Sequence, residues 1–145
     1  MKVLIVCSGN ARDNEFVFEL DRVFIHEQQI ALNKLGVETD IFLIQGKGLK
    51  GYIKNHRKFI NKIKSKQYDL IHAHYGLTGL ITILQRRVPV VITYMGSDIN
   101  DRTGRWISKI AMFFANHNNF VSSRLKNLSG AKKKFSVIPY GVNMD

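Results

Sequence analysis

The chain has 145 residues, of which 45% are hydrophobic, with a formal net charge of +11 and a single cysteine. A chain of this length and composition forms one domain with an adequate core, and one cysteine excludes an intramolecular disulfide framework. The apolar run after Lys2 is too short for a signal peptide or a membrane span. We therefore expect a cytoplasmic protein.

Short apolar runs alternate with helix-length segments along the whole chain. The pattern predicts strands at residues 2–7, 37–44, 69–71, 90–94, 119–121 and 135–138. It predicts helices at residues 19–35, 47–66, 77–85 and 105–116, with a helical turn at 124–128. Strands joined by helix-length crossovers pair in parallel with right-handed connections. The predicted fold class is therefore α/β, a Rossmann-like doubly wound parallel sheet.

Apolar positions in two of these helices recur at helical spacing, which predicts the side that packs on the sheet. In helix 19–35 the predicted inward residues, closed by a Gly36 cap, are Leu20, Val23, Phe24, Ala31, Leu32 and Leu35. In helix 105–116 they are Trp106, Ile107, Ile110, Phe113 and Phe114. Both helices are expected to bury their large apolar side chains.

Charge is distributed unevenly along the chain. Residues 1–40 hold four Lys/Arg and seven Asp/Glu, a net −3, whereas residues 41–145 hold eighteen and four, a net +14. The densest basic stretch, residues 47–66, contains no acid and carries an apolar stripe at helical spacing. A solvated basic face is the simpler interpretation, and contact with phosphate or anionic lipid is the sharper one. Candidates for that contact are Lys50, Lys54, Arg57, Lys58, Arg102 and Arg105.

Polar or glycine-containing clusters follow four of the predicted strands. Ligands of open α/β sheets bind outside the carboxyl ends of the strands, where helix amino termini and free backbone amides converge. The substrate-binding candidates at this edge are Ser8, Gly9, Asn10, His74, Met95, Gly96, Asp98 and Ser122. Asp98 is the first choice, because a carboxylate in this position accepts hydrogen bonds from ligand hydroxyls.

Four of these candidates also have a simpler structural interpretation. Asp98 suits a cap on the turn that follows it, and Ser122 suits a helix cap. Gly9 gives close backbone approach to a phosphate or a sugar, or belongs to an ordinary turn. His74 contacts a ligand or is a structural imidazole bonded to backbone. The sequence leaves these alternatives open.

Several common site motifs are missing from the sequence. No glycine-rich dinucleotide fingerprint follows the first strand, and no Walker-type phosphate loop occurs. The His72-Ala73-His74 segment lacks further ligands at metal-binding spacing, so we expect neither a metal nor another cofactor. No nucleic-acid recognition motif accompanies the high positive charge.

Four segments, in this order, carry a resemblance to a known family. They are YDLIHAHYG at 68–76, VPVVITYMGSD at 88–98, VSS at 121–123 and VIPYGVN at 137–143. Together they resemble the amino-terminal half of the retaining glycosyltransferase family four, which has the GT-B fold. The resemblance implies two Rossmann-like domains facing across a cleft, the first binding the acceptor and the second the nucleotide-sugar donor.

The resemblance also implies a domain organisation. Residues 1–138 correspond to the acceptor domain and residues 139–145 to the start of the interdomain linker, with the second domain absent from this chain. The donor-binding glutamates of that second domain have no counterpart here, so the chain alone is expected to be inactive. The parent enzyme is expected to transfer a sugar with retention of configuration and without a metal.

Two departures from the family pattern concern the site. The family often has paired glycines in the first loop and a histidine before Gly-Ser-Asp, whereas this chain has Gly9 alone and Met95 in the histidine position. The catalytic residues therefore stay unassigned. The implied acceptor is a sugar or a lipid-linked sugar in cell-surface polysaccharide or glycolipid synthesis, handled at the inner face of the membrane. The alternative is a stand-alone α/β module that binds an anionic small molecule or nucleic acid.

Overall fold

The computed structural model describes residues 1–10 and 15–141, so the end of the predicted linker lies outside the described residues. The strands are β1 (Lys2–Ser8), β2 (Glu38–Ile44), β3 (Leu70–His74), β4 (Val90–Tyr94), β5 (His117–Phe120) and β6 (Phe135–Val137). The helices are α1 (Phe18–Asp21), α2 (Val23–Lys34), α3 (Gly48–Ser65), α4 (Gly76–Ile83), α5 (Ser97–Asn100), α6 (Arg102–Phe114) and α7 (Ser123–Ser129).

All six strands form one parallel sheet in the order β2-β1-β3-β4-β5-β6. The chain first moves from β1 to β2 and then returns to the other side of β1 to form β3. The direction of winding therefore reverses between β1 and β3, which is the topological switch point of the sheet. The predicted α/β class with a doubly wound parallel sheet is confirmed.

The two faces of the sheet are covered to different extents. The face beneath α3, α4, α6 and α7 buries the larger apolar cluster, which includes Phe59, Ile92 and Phe120. The opposite face has a smaller cluster of β1 residues packed against Ile25 of α2. Strand residues alternate between these faces, so Ala73 joins the larger cluster while His72 and His74 point to the α2 side.

Helix α6 packs closely on α4, and this contact decides which side of α6 faces inward. A Cβ on Gly76 would overlap Ser108 Oγ and lie 3.0 Å from Ser108 Cβ, so the two helices approach without room for a larger group. The buried residues of α6 are the small Ser108 and Ala111. The prediction that the large apolar residues of this helix face inward is wrong, because Trp106 is 74% exposed and Phe113 78% exposed.

The predicted helix at residues 19–35 is two helices, with a break at Arg22. Arg22 has φ −132° and ψ 43°, which is outside the helical range. Its inward residue is Ile25, whereas Leu20 and Leu35 are 75% and 80% exposed and Phe24 is also exposed, so most of the predicted inward face is wrong. Gly36 follows α2 with φ +79°, as expected of a residue that ends a helix.

The basic helix α3 buries only part of its apolar stripe. Tyr52 and Phe59 are in the core, whereas Leu49 and Ile53 are 45% and 53% exposed. The buried Asn55 holds the start of α3 against β2, because its Nδ2 donates to Gln45 O at 2.6 Å. The candidate cations of this helix, all exposed to solvent, are Lys50, Lys54, Arg57 and Lys58.

Candidate functional site

One buried carboxylate ties together the loops that follow β3 and β4. Asp98 Oδ2 accepts a hydrogen bond from the Gly76 amide at 3.0 Å. Its Oδ1 accepts from the Met95 and Gly96 amides at 3.2 Å and 2.9 Å. These bonds reach the preceding residues and the neighbouring loop, not the turn after Asp98, so the expected direction of the cap is wrong.

The Asp98 carboxylate therefore acts as a positioning group. The residue is 1% exposed, and burial raises the pKa of its carboxyl above the ordinary value, while the three amide donors pull it back down. Most of its acceptor capacity is occupied by backbone amides. The consequence is a fixed relation between the two loops at the carboxyl ends of β3 and β4.

The loop after β1 is tied in turn to the loop after β2. Asn10 Nδ2 donates to Gly46 O, and the Gly46 amide donates to Asn10 Oδ1, both at 2.8 Å. A Cβ on Gly9 would lie 2.8 Å from Leu43 Cβ, so packing against β2 already requires this glycine. The contacts are those of an ordinary turn, which is the simpler of the two interpretations of this segment.

A cation that the sequence analysis did not single out anchors the same loop. Arg22 donates from Nε to Ser8 O at 2.9 Å, from Nη2 to Asn10 O at 3.0 Å and from Nη1 to Asp21 O at 2.6 Å. All three guanidinium nitrogens thus serve backbone carbonyls. The sequence gives one signal of this role, since Arg22 is the only Lys or Arg between residues 13 and 33.

Two histidines lie side by side on β3, with ring centroids 4.3 Å apart. His72 Nε2 pairs with Thr93 Oγ1 at 2.8 Å. His74 is 1% exposed, and neither of its ring nitrogens has a partner within residues 1–10 and 15–141. Burial lowers the pKa of His72 to about 4, and burial and the neighbouring His72 hold the pKa of His74 well below its usual value. Both rings are therefore neutral near neutral pH, each with one donor and one acceptor nitrogen.

The backbone bends sharply after β3 and after β4. Tyr75 has φ 85°, a value that residues with a side chain seldom adopt, and its amide donates to Thr93 O at 2.9 Å. Gly96 has φ 146°, a conformation that favours glycine. Strained backbone of this kind is concentrated at functional sites, and both bends lie beside the Asp98 carboxylate.

A cavity of about 680 Å³ opens at this edge of the sheet, beside the switch point between β1 and β3. Three predicted substrate-binding residues, Ser8, His74 and Met95, line it, and Gly96 and Asp98 follow Met95 at the start of α5. The other lining residues are Cys7, Leu20, Asp21, Arg22, Val23, Phe24, Ile25, Tyr52, Tyr75 and Ser97. The cavity, which we call the edge cavity, lies where ligands of open α/β sheets bind.

A second cavity, of about 440 Å³, lies between α2, β4, β5 and the segment after β6. Phe24 borders both cavities, and its ring stacks on Tyr140 with centroids 5.0 Å apart. Three buried polar atoms here have no hydrogen-bond partner in the part of the chain that the structure describes: Gln28 Oε1, Asn119 Oδ1 and the Tyr140 hydroxyl. No motif or spacing in the sequence indicated a role for these three side chains.

The remaining predicted contact residues lie away from the edge cavity. Ser122 Oγ accepts from the Leu125 amide at 3.3 Å and caps α7, which is the simpler of its two interpretations. Arg105 donates from Nε to Ile99 O at 2.7 Å, and Arg102 is exposed at the start of α6. The exposed cations of α3 are outside the lining of both cavities.

Cys7 is buried at 1% exposure beside Ser8. Burial raises the pKa of its thiol to about 12, so the thiol is protonated at neutral pH. Within residues 1–10 and 15–141, no group of three or more His, Cys, Asp or Glu side chains is placed to hold a metal ion. Among the same residues, no helix combines the length and the apolar character that crossing a membrane requires.

Fold and site together define a Rossmann-like α/β domain with a cavity at the carboxyl edge of its sheet. The model of Glycosyltransferase Family 4 matches residues 3–145, and the chain belongs to that family. The predicted family is thereby confirmed. No curated protein sequence matches the chain.

Solved structures share the fold at low sequence identity. Sucrose-phosphate synthase from Thermosynechococcus elongatus superimposes with a TM-score of 0.74 at 16% identity, over 98% of this chain and 48% of that chain. A shorter structure of that synthase gives a TM-score of 0.70 at 16% identity, over 97% and 90%. A protein described as a UDP-N-acetylglucosamine 2-epimerase from Listeria monocytogenes gives 0.62 at 13% identity, over 93% and 44%. The chain thus spans about half the length of two of these structures, and it has the fold of one half of a GT-B protein.

Proposed function

We propose that this chain is the acceptor-binding domain of a nucleotide-sugar-dependent glycosyltransferase that retains anomeric configuration. The observation that carries the proposal is His74, a buried neutral imidazole that lines the edge cavity without a partner among the described residues. Buried polar groups in native proteins are almost always paired, so an unpaired one beside a cavity is suited to a ligand. In a member of Glycosyltransferase Family 4, a sugar acceptor is the ligand class that fits.

The polar groups around the two cavities favour hydroxyl groups over phosphate. Among the described residues, the buried unpaired groups that line these two cavities are neutral: the His74 ring, two amide oxygens and the Tyr140 hydroxyl. Arg22, the cation that lines the edge cavity, already donates to backbone carbonyls from all three nitrogens. The second cavity is lined by one cation, Lys34, and one carboxylate, Glu27, whose charges offset each other. Neutral donors and acceptors beside the stacked Phe24 and Tyr140 rings match a sugar, which has hydroxyls at its rim and apolar faces.

The fixed loops supply the positioning that transfer to a hydroxyl needs. An acceptor oxygen must be held at attack distance from the donor carbon, and rigid surroundings contribute much of the rate. The Asp98 carboxylate holds the loops after β3 and β4 together, and Asn10 holds those after β1 and β2. We assign a positioning role to Asp98 and acceptor contact to Ser8 and His74, and we assign no residue as the catalyst.

In this proposal the donor site lies on a second domain. Residues 1–138 form the acceptor domain, and residues from 139 onward begin the linker to a domain that binds the nucleotide-sugar. The chain spans 48% of the sucrose-phosphate synthase structure, which supports a two-domain parent. Since the leaving diphosphate needs backbone amides and cations from that second domain, the chain by itself is expected not to turn over.

The positive charge supports a place at the cytoplasmic face of a membrane. Helix α3 exposes Lys50, Lys54, Arg57 and Lys58, and anionic headgroups attract basic residues close to the surface. An acceptor that is lipid-linked, or a growing cell-surface polysaccharide, is found at such a face. We therefore propose a peripheral enzyme of polysaccharide or glycolipid synthesis.

Saturation-transfer NMR on the protein tests the acceptor site with defined probes. The probes are neutral mono- and disaccharides, UDP-sugars, inorganic phosphate and a single-stranded oligonucleotide. We expect transfer to at least one neutral saccharide, lost in His74→Leu and retained in the matched neighbour variant His72→Leu. Each variant is checked for its fold by its amide spectrum, so that a lost signal reports the site.

Two outcomes contradict the proposal. Saccharide binding that survives in His74→Leu removes the edge cavity from the acceptor site. Binding of phosphate or the oligonucleotide, without binding of any saccharide, supports the alternative of a stand-alone module for an anionic ligand. The net charge of +11 would then account for the attraction.

A further inference from the structure

Helix α6 turns its large apolar residues toward solvent. Trp106, Ile110 and Phe113 stand at positions i, i+4 and i+7, which lie on one side of a helix, and they are 74%, 45% and 78% exposed. The opposite side holds Ser108 and Ala111, which are buried. We call Trp106, Ile110 and Phe113 the outer stripe.

The packing of α6 prevents the helix from rotating to hide the outer stripe. Gly76 of α4 leaves space for nothing larger than the Ser108 side chain, and Ser108 Oγ also donates to Asp98 O at 2.9 Å. Ile110 or Trp106 in that position would clash with the α4 backbone. The outer stripe therefore stays outside as long as α4 and α6 are in contact.

Exposure on this scale is unusual for aromatic side chains. Phe114 adds to the stripe at 50% exposure, with its ring 5.0 Å from that of Phe113. Soluble proteins seldom expose contiguous apolar patches of several large side chains unless the patch binds something.

The charge around the outer stripe identifies an anionic partner. Arg102 and Lys109 are exposed on α6 at positions beside the stripe. From residue 102 to residue 144 the sequence contains no Asp or Glu, and its basic residues are Arg102, Arg105, Lys109, Arg124, Lys126, Lys132, Lys133 and Lys134. Tryptophan and phenylalanine flanked by cations on one helix face are typical of helices that lie in a membrane interface.

We propose that α6 lies on an anionic membrane, with the outer stripe at the boundary between headgroups and acyl chains and with Arg102 and Lys109 on lipid phosphates. This goes beyond the acceptor site and does not depend on it, because no residue of the outer stripe lines either cavity. It also differs from the contact proposed for α3. The large apolar side chains that α3 exposes are Leu49 and Ile53, so its cations attract the membrane without inserting an aromatic ring.

The protein carries its own reporter, because Trp106 is its only tryptophan. We expect its fluorescence to shift to the blue, and to become protected from acrylamide, when vesicles of phosphatidylcholine with phosphatidylglycerol are added. Brominated acyl chains in the same vesicles should quench it. Vesicle binding without any change in Trp106 emission would overturn the proposal.

Flotation of variants with the same vesicles gives the quantitative test. Trp106→Ser/Phe113→Ser should lower the bound fraction at least about tenfold, since two aromatic side chains leave the apolar phase. Leu35→Ser, which removes an apolar side chain that is 80% exposed just after the end of α2, is the matched control and should bind as the parent protein does. Equal loss in both variants, or no loss in the first, contradicts the role of α6.

Two further arms separate the sources of binding. Arg102→Gln/Lys109→Gln should weaken binding to anionic vesicles several-fold and leave the weak binding to neutral vesicles unchanged. If the outer stripe is instead covered by a second copy, gel filtration will show a dimer that Trp106→Ser/Phe113→Ser converts to a monomer without changing flotation, and the proposal fails. Saccharide binding by the double variants should persist, so failure of this inference is distinguishable from failure of the acceptor site.

Discussion

The two faces of the sheet satisfy their side chains in different ways. The face under α3, α4, α6 and α7 is apolar and closely packed, with Gly76 and Gly79 allowing α4 to approach α6 and β4. The face under α2 has its apolar cluster at β1, β2 and Leu70 at the start of β3, and beyond them it presents His72, His74 and Asn119. The first face therefore supplies most of the apolar packing, and the second has the unpaired polar groups that border the two cavities.

This difference teaches how stability and binding are divided within one small domain. A change of side-chain volume in a closely packed region lowers the free energy of unfolding. An unpaired buried polar group, in contrast, already destabilises the unliganded protein. Substitutions on the first face should thus destabilise. Some substitutions on the second face should leave stability intact, or increase it, while removing binding.

The largest expected effect is a loss of stability in mild acid, caused by the α2 face. His72 and His74 have folded-state pKa values below the ordinary 6.5, so the unfolded chain takes up protons first as the pH falls. Stability is complete above pH 6.5 and declines toward pH 4, by about 1.4 kcal/mol per pH unit for each histidine that stays neutral in the fold. Urea denaturation from pH 7 to pH 4.5 measures the slope. The slope should flatten in His72→Leu/His74→Leu, and an unchanged slope would assign the acid sensitivity to other groups.

Gly76→Ala tests the closely packed face. The new methyl group overlaps Ser108 Oγ and pushes α4 away from α6, so the free energy of unfolding should fall by about 3 kcal/mol. The control is Gly141→Ala, where no atom of the described residues lies within 4 Å of the added Cβ and the change should be under about 0.5 kcal/mol. Equal stability of the two variants would show that the contact between α4 and α6 tolerates added volume.

Asp98→Asn tests the junction between the two faces. An amide in place of the carboxylate turns one acceptor oxygen into a donor that faces backbone amides, and should cost about 2 kcal/mol. The control is Asp101→Asn, three residues later at the exposed N-cap of α6. It keeps its bond to the Gly104 amide, because asparagine is as good an amino-terminal cap. Chemical denaturation of both variants gives the comparison, and similar losses would remove the special role of Asp98.

The smallest expected effects come from the two neighbouring histidines taken singly at pH 7.5. His72→Leu removes a paired side chain and should cost about 1 kcal/mol, since its bond to Thr93 Oγ1 is lost. His74→Leu replaces an unpaired polar ring by an apolar side chain and should leave stability unchanged or raise it by about 1 kcal/mol. Urea titrations of the pair decide this, and a larger loss in His74→Leu would mean that the ring has a structural partner.

Much of the fold followed from the sequence, because apolar runs and crossover lengths depend on local pattern. The parallel sheet, the α/β alternation and the cluster of polar residues at its carboxyl edge needed no long-range information. Contacts between distant segments could not be predicted from the sequence. The Asp98 carboxylate accepts from the Gly76 amide across 22 residues, and the helix breaks at Arg22, whose guanidinium donates to the Ser8 and Asn10 carbonyls. Sequence spacing does not contain these pairings.

Helix α6 shows a different limit of sequence reasoning. Helical periodicity groups Trp106, Ile110 and Phe113 on one side, and that grouping is correct. The direction of that side was wrong, because the opposite side carries small residues that fit against Gly76. Periodicity identifies a face, whereas the partner helix decides whether that face is inside.

The most direct test of the central claim, that the carboxyl edge of the sheet binds a sugar acceptor through an unpaired histidine, is a ¹⁵N spectrum of the histidine side chains. The chain has five histidines, and His74→Leu assigns the relevant ring. On addition of the neutral saccharide that binds in saturation-transfer experiments, we predict that the His74 nitrogens shift as they gain a hydrogen bond, while those of His26, His56 and His117 do not. A bound saccharide that leaves the His74 nitrogens unchanged would contradict the account.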